Sequence, residues 1–250
     1  MISELTAQLK DIIQEHEGWA VLNATFGDAL KSAPLQREDV KRFLACHIAS
    51  VRDVPTSILS VALRLSHACM KYDYFAGHAV AARTLIAAVH EYGLHDPEKG
   101  VLKTHFELYR DAVLSWGFTV EEILNHPDII PEAVEMANFN EACAQNGPLA
   151  KALGCHIALE ETADKEFSLL WESIGHHWKA YGLKGMDDPA LSFYHIHIIQ
   201  EPIHGAMSQE AMTRYLSYCP TEKPLVIEGV KEYMDAYSTT LKAFDRAFFS

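Results

Sequence analysis

From Glu38 to Val51 the chain reads EDVKRFLACHIASV, and Val40, Phe43, Leu44, His47 and Val51 recur at steps of three and four. Such steps return to one face of an α-helix, with its period of about 3.6 residues, and have no counterpart in a strand, whose period is 2. The pattern repeats in TSILSVALRLSHACM, in AVAARTLIAAVHEYG and, behind a proline suited to a first helical turn, in PEAVEMANFNEACAQ. Longer helical stretches are expected from Pro148 to Tyr181, from Pro189 to Tyr218 and from Pro224 to Phe249. Short breaks such as KSAPLQ, GLHDPEKG and YGLKGMDDP separate them. No alternating β-branched run bounded by turns stands out, so few or no strands are expected. The expected fold is all-α: one domain over residues 1–250, a bundle of about eight to ten helices.

Composition narrows the function. A formal net charge of −13 repels nucleic acid and anionic membranes, and no basic patch reverses it. No apolar run reaches the roughly 18 to 20 residues of a membrane span, and the first residues lack a secretion signal. A cytoplasmic protein is expected. The 5 cysteines are odd in number and form no CxxC pair, which fits reduced thiols packed as small apolar residues.

The 14 histidines raise a different question, because three of them fall within HIHIIQEPIH. On a helix, His197, Glu201 and His204 share one stripe and His195 lies on the far side. Ile196, Ile198, Ile199 and Ile203 flank the stripe, which is therefore expected to face inward. Two imidazoles and a carboxylate suit iron, manganese or zinc. The same spacing also suits a hydrogen-bonded His–Glu–His network. Two further segments carry acids and histidines in apolar surroundings. One ends a helix at Glu91 and opens the next with His105; the other holds Glu160 and Glu161, with His156 and Asp164 a turn to either side. Each of these side chains could equally belong to a solvated face.

LSFYHIHIIQEPIH resembles the aromatic pair and His-x3-Asp-x2-His motif of the heme-oxygenase-like diiron oxidases and oxygenases. AAVHEYGLHDPEKGVLKTHFELY, GCHIALEE and VRDVPTSILSVAL are similar to other segments of that family, in the family's order, so the likeness spans about residues 20 to 245. The resemblance implies a heme-oxygenase-like bundle, shared with the TenA and PqqC-like proteins. It implies two Fe(II) held by Glu91, His105, Glu160, His197, Glu201 and His204, with Glu161 and His95 as competing ligands. It further implies an O2-activating oxidase or oxygenase acting, through a peroxo-diferric intermediate, on a small amino acid or carboxylate. The outcome would be N-oxygenation, desaturation or C–C cleavage. An external reductant and a homodimer are compatible with it, and Arg83 is a candidate for meeting a substrate carboxylate.

This chain departs from the pattern in having Glu201 where the family has Asp, and Pro202, which has no backbone donor, inside the motif helix. The alternatives on the same fold are a TenA-like thiaminase or hydrolase using Cys155, a cofactor-free PqqC-like oxidase, a heme enzyme ligated by His16, and a non-enzymatic binding protein.

Overall fold

The computed structural model describes residues 2–93, 95–96 and 100–249, with side chains for 4–93 and 102–249. Helices dominate, in the order α1 (Ile2–Glu15), α2 (Glu17–Leu22), a π-helical stretch (Asn23–Ala29), α3 (Leu30–Ser32), α4 (Arg37–Val51), α5 (Val54–Met70) and α6 (Tyr74–Glu91). A minimal antiparallel ribbon follows, β1 (His95–Asp96) paired with β2 (Gly100–Val101). Then come α7 (His105–Ser115), α8 (Val120–Leu124), α9 (Pro131–Asn146), α10 (Leu149–His176), α11 (Ser192–Tyr218) and α12 (Lys223–Phe248).

Local chemistry sets the helix ends that matter for the site. Asp73 caps α6 by accepting from the Phe75 and Ala76 N–H groups, at 2.9 and 3.1 Å. Gly93, at φ +82°, turns the chain just past Glu91, in a region that a side chain would strain. Thr104 starts α7 with a reciprocal box: its hydroxyl accepts from Glu107 N–H at 3.0 Å while the Glu107 carboxylate accepts from Thr104 N–H at 2.9 Å. Glu91 is therefore fixed at one helix end and His105 at the next helix start.

The long helix α10 packs against α11 on one side and α12 on the other. Gly154 of α10 and Gly229 of α12 let the two backbones touch. A Cβ on Gly154 would fall well inside 3.0 Å of Val226 O, and one on Gly229 equally close to Lys151 O. Phe26, Phe43 and Phe244 meet edge to face at 5.6 to 5.8 Å between ring centres in the core. Phe26 sits in the π-helical stretch and also lines a cavity between the helices, whose roughly 850 Å³ of empty space is partly open to solvent. No described helix is long and apolar enough to cross a membrane. The α11 helix runs uninterrupted through Pro202. The stripe of His197, Glu201 and His204 faces inward as expected, while Ile199 and Ile203 beside it are 57% and 46% exposed.

Candidate metal centre

Four helices bring the six candidate ligands together. Glu91 closes α6, His105 opens α7, Glu160 lies midway along α10, and His197, Glu201 and His204 form the inward stripe of α11. All six are buried, none more than 7% exposed. They gather as two trios. Glu91, His105 and His197 each offer a donor atom within 4.8 Å of the other two, and so do Glu160, Glu201 and His204. Glu201 joins the trios: its Oε1 lies 4.0 Å from His197 Nε2, and its Oε2 lies 3.4 Å from His204 Nδ1.

Each imidazole of the trios is also held from behind. His197 Nδ1 donates to Phe193 O, one helical turn back, at 2.7 Å, and its ring stacks on Phe167 at 3.8 Å between centres. His105 Nε2 donates to Gln200 Oε1 at 2.7 Å while its Nδ1 meets Glu91 Oε1 at 2.9 Å. His204 Nε2 meets His90 Nδ1 at 2.9 Å. A partner on the far nitrogen fixes the ring orientation of a metal-binding histidine.

Protonation follows from burial and neighbours. Burial, reinforced by the nearby His105, pushes His197 well below the ordinary imidazole value, so this ring is neutral. Burial lowers His90 too, helped by His204 and His105, so it accepts from His204 Nε2. Burial alone would lower His204, but the carboxylates of Glu160 and Glu201 outweigh it and raise the ring to about 10. Burial would also raise Glu160, yet His204 and His156 hold it at about 2. Glu201 is raised well above the carboxylate range, by burial first and then by the Glu160 charge. Without metal, the second trio therefore keeps protons on His204 and Glu201 at neutral pH.

The arrangement fits a pair of cations. With its Nδ1 proton on Phe193 O, His197 turns an Nε2 lone pair toward Glu91 Oε1 at 3.9 Å and Glu201 Oε1 at 4.0 Å. Donors about 2.0 to 2.2 Å from one ion lie no more than about 4.4 Å apart, and these gaps fall within that limit. Glu160 Oε1 and Glu201 Oε2 are buried with no hydrogen-bond partner. A buried polar atom without a partner is uncommon, and a bound cation would give these two oxygens one. Imidazole with hard carboxylate oxygen is a donor set that iron accepts.

Proton release offers a direct check. A metal must displace the protons on His204 and Glu201, so its affinity should rise with pH and fall in acid. Calorimetric titration in buffers of different protonation enthalpy should show roughly two protons released at this trio. Uptake of metal without any proton release would contradict the assignment.

Other residues singled out from the sequence lie elsewhere. Glu161 pairs with Gln209 at 2.6 Å and with Lys10 at 3.5 Å, and does not join either trio. Asp164 is exposed, and His195 is exposed and stacked on Trp171. The side chain of His95 lies outside the described residues. His16 caps α2, accepting from Gly18 N–H at 3.0 Å, with its other nitrogen 3.1 Å from Asp235. Cys155 does not line the large cavity; its thiol lies 2.7 Å from Cys143 Sγ and 3.3 Å from Gly229 O, and that neighbour and burial push it far up.

Arg83 is a correction. It meets Glu210 at 3.2 Å in a half-buried pair and is not among the residues lining the cavity. A half-buried pair still reached by solvent is worth about 1 kcal/mol. Arg83→Ala should leave substrate affinity and iron uptake unchanged and shift thermal stability only slightly, as a melting curve and an iron titration would read.

The sequence reading did not single out His90 or Gln200. Both flank a ligand by one position, and nothing in helical periodicity marks a residue beside the stripe as its support. His156 was noted one turn from Glu160; its Nε2 lies 3.5 Å from Glu160 Oε1 and 3.0 Å from Ser208 Oγ.

Comparison with known proteins places the chain in a family. The family described as iron-containing redox enzymes matches residues 41–238, which include all six residues. The chain belongs to that family. Its fold is the heme-oxygenase-like bundle: the crystal structure of a TenA homologue from Pseudomonas syringae pv. tomato superimposes with a TM-score of 0.68, covering 98% of this chain and 91% of the other at 12% identity. At that identity the family's fold is shared and nothing finer. No curated protein matches the sequence.

Proposed function

We propose that this family member is a non-heme diiron oxidase or oxygenase that uses dioxygen to oxidise a small organic substrate. Glu91, His105 and His197 would hold one iron, and Glu160, Glu201 and His204 the other. The observation that carries the reading is the position of Glu201, whose two oxygens face one imidazole in each trio. Bound ferrous ions would supply the electrons that make dioxygen reactive toward a closed-shell organic molecule.

The chain's own contribution is orientation, protonation and exclusion of water. Phe193 O and Gln200 keep the His197 and His105 rings turned toward Glu91. His90 accepts from His204 and so holds its other nitrogen toward Glu160 and Glu201. The cavity reaches Glu91, His105, Glu160, His197 and Glu201, and most of its lining is apolar, which keeps bulk water from the reacting groups. The longer arm of Glu201, compared with the aspartate of the resembling motif, is accommodated here by its reach between the trios. N-oxygenation, desaturation and C–C cleavage are the outcomes within this class.

An anaerobic Fe(II) titration tests the reading. It should saturate near two ions per chain, and later admission of air should consume dioxygen and change the visible spectrum. Uptake of fewer than one ion per chain under excess Fe(II) would falsify it.

A further inference from the structure

The cavity beside the two trios has a polar end that the iron ligands do not explain. Glu166, six residues beyond Glu160 on α10, lines it and is largely buried. Its Oε2 accepts from Tyr237 O–H at 2.6 Å, and its Oε1 lies 3.3 Å from His47 Nε2. Burial and the Glu166 charge both push the Tyr237 hydroxyl well up, so tyrosine stays the donor. His47 is 1% exposed and neither ring nitrogen makes an aligned hydrogen bond. Among the described residues lining the cavity, none is lysine or arginine. Glu91, Glu160 and Glu201 would be taken up by metal, which leaves Glu166 as the carboxylate still open to a ligand.

Two further features define what could sit there. Aromatic rings from Phe26, Phe167, Phe193, Phe244, Tyr233 and Tyr237 surround the space. Ring faces attract cations, more strongly where water is excluded. Asn140 is 93% buried, lines the same cavity, and has no hydrogen-bond partner among the described residues, so its amide is free to meet a ligand. An anionic head would find no cationic side chain in this lining, whereas an ammonium would find a carboxylate and rings.

We infer that the cavity binds an amine: a molecule with an apolar, ring- or chain-shaped body whose ammonium group is received by Glu166, in preference to a carboxylate of the same shape. This rests on the cavity being the substrate site of the diiron reading, and it narrows the small amino acid or carboxylate implied by the sequence to the nitrogen-bearing end of that class. Glu166 is the residue that reads the charge, and Asn140 supplies a neutral polar contact along the wall.

The test uses three probes that share a phenylethyl body, 2-phenylethylamine, phenylalanine and 3-phenylpropanoate, titrated calorimetrically into the metal-free full chain and, anaerobically, into the iron-loaded one. The amine should bind about 10- to 100-fold more tightly than the carboxylate to the metal-free chain, the range of one charged hydrogen bond. Glu166→Gln should erase most of that advantage. A crystal soaked with 2-phenylethylamine should place its nitrogen within hydrogen-bond distance of Glu166, a result that needs no variant. Equal binding of amine and carboxylate to the metal-free chain overturns the inference. So does an advantage untouched by Glu166→Gln, or a nitrogen lodged at Glu91, Glu160 or Glu201. The iron titration separates the two ideas: two irons taken up with no amine preference removes only this inference, and an amine preference without iron uptake removes only the diiron reading.

Discussion

Fe(II) uptake by a His197→Ala variant should fall from about two ions per chain to about one, since loss of a ligand's supporting group alone costs 10- to 100-fold in affinity and loss of the ligand costs more. His197 is the member of its trio whose state is least ambiguous. Its Nδ1 is committed to Phe193 O, so only Nε2 is free, and that atom faces both Glu91 and Glu201. The variant leaves Glu160, Glu201 and His204 in place, so one site should survive. The same change opens a void against Phe167 and Phe193, whose ring centres lie 3.8 and 4.6 Å away, and a lower melting temperature accompanies it. His195→Ala is the control on the same helix. Its ring is exposed, and its removal should leave iron stoichiometry at the parent value. Equal iron uptake by the His197→Ala variant and the parent would take the α11 stripe out of the metal site.

A second large effect is expected far from the ligands, where α10 and α12 touch. Gly229→Ala should destabilise the protein by about 3 kcal/mol, the upper part of the range for overpacking a close contact. The melting temperature should fall by roughly 6 to 12 °C, given about 2 to 4 °C per kcal/mol for a chain of this size. The reason is that the added Cβ meets main-chain atoms of Lys151 and Cys155, which cannot rotate out of the way. Gly154→Ala acts from the other side of the contact, against Val226 and Val230. Both changes push α12 from the helix that carries Glu160, so weaker iron retention should accompany the lower stability. Gly205→Ala is the contrast. Its Cβ would find only Glu161 Oε1, at 3.9 Å, and a helical Gly to Ala change in open space gains about 0.5 to 1 kcal/mol. A melting temperature for Gly229→Ala at or above that of the parent would refute the close-contact account.

Much of the molecule was legible in the order of residues, for a local reason. The steps of three and four in EDVKRFLACHIASV place side chains on a shared face whatever the rest of the chain does. The helix ends around Glu91 and His105 follow from Gly93 and Thr104 in the same way. His197, Glu201 and His204 form one stripe, with His195 off it, by helical geometry alone. The family likeness then supplied the partners on α6, α7 and α10, which no periodicity links to α11.

What lay beyond the sequence is what depends on how one helix rolls against another. Glu160 and Glu161 are adjacent acids in apolar surroundings, and only the packing of α10 between α11 and α12 turns the first to the trio and the second to Gln209 and Lys10. The same packing pairs Arg83 with Glu210 away from the cavity lining. Gln200 and His90 became supports, and Glu166, Tyr237 and Asn140 became a cavity wall, only once separate helices met. Residue order determines which side chains share a face, because that is set by the rise and turn of a single helix. Tertiary structure decides which face is inside and what it meets, because that is set by contacts between residues distant in the chain.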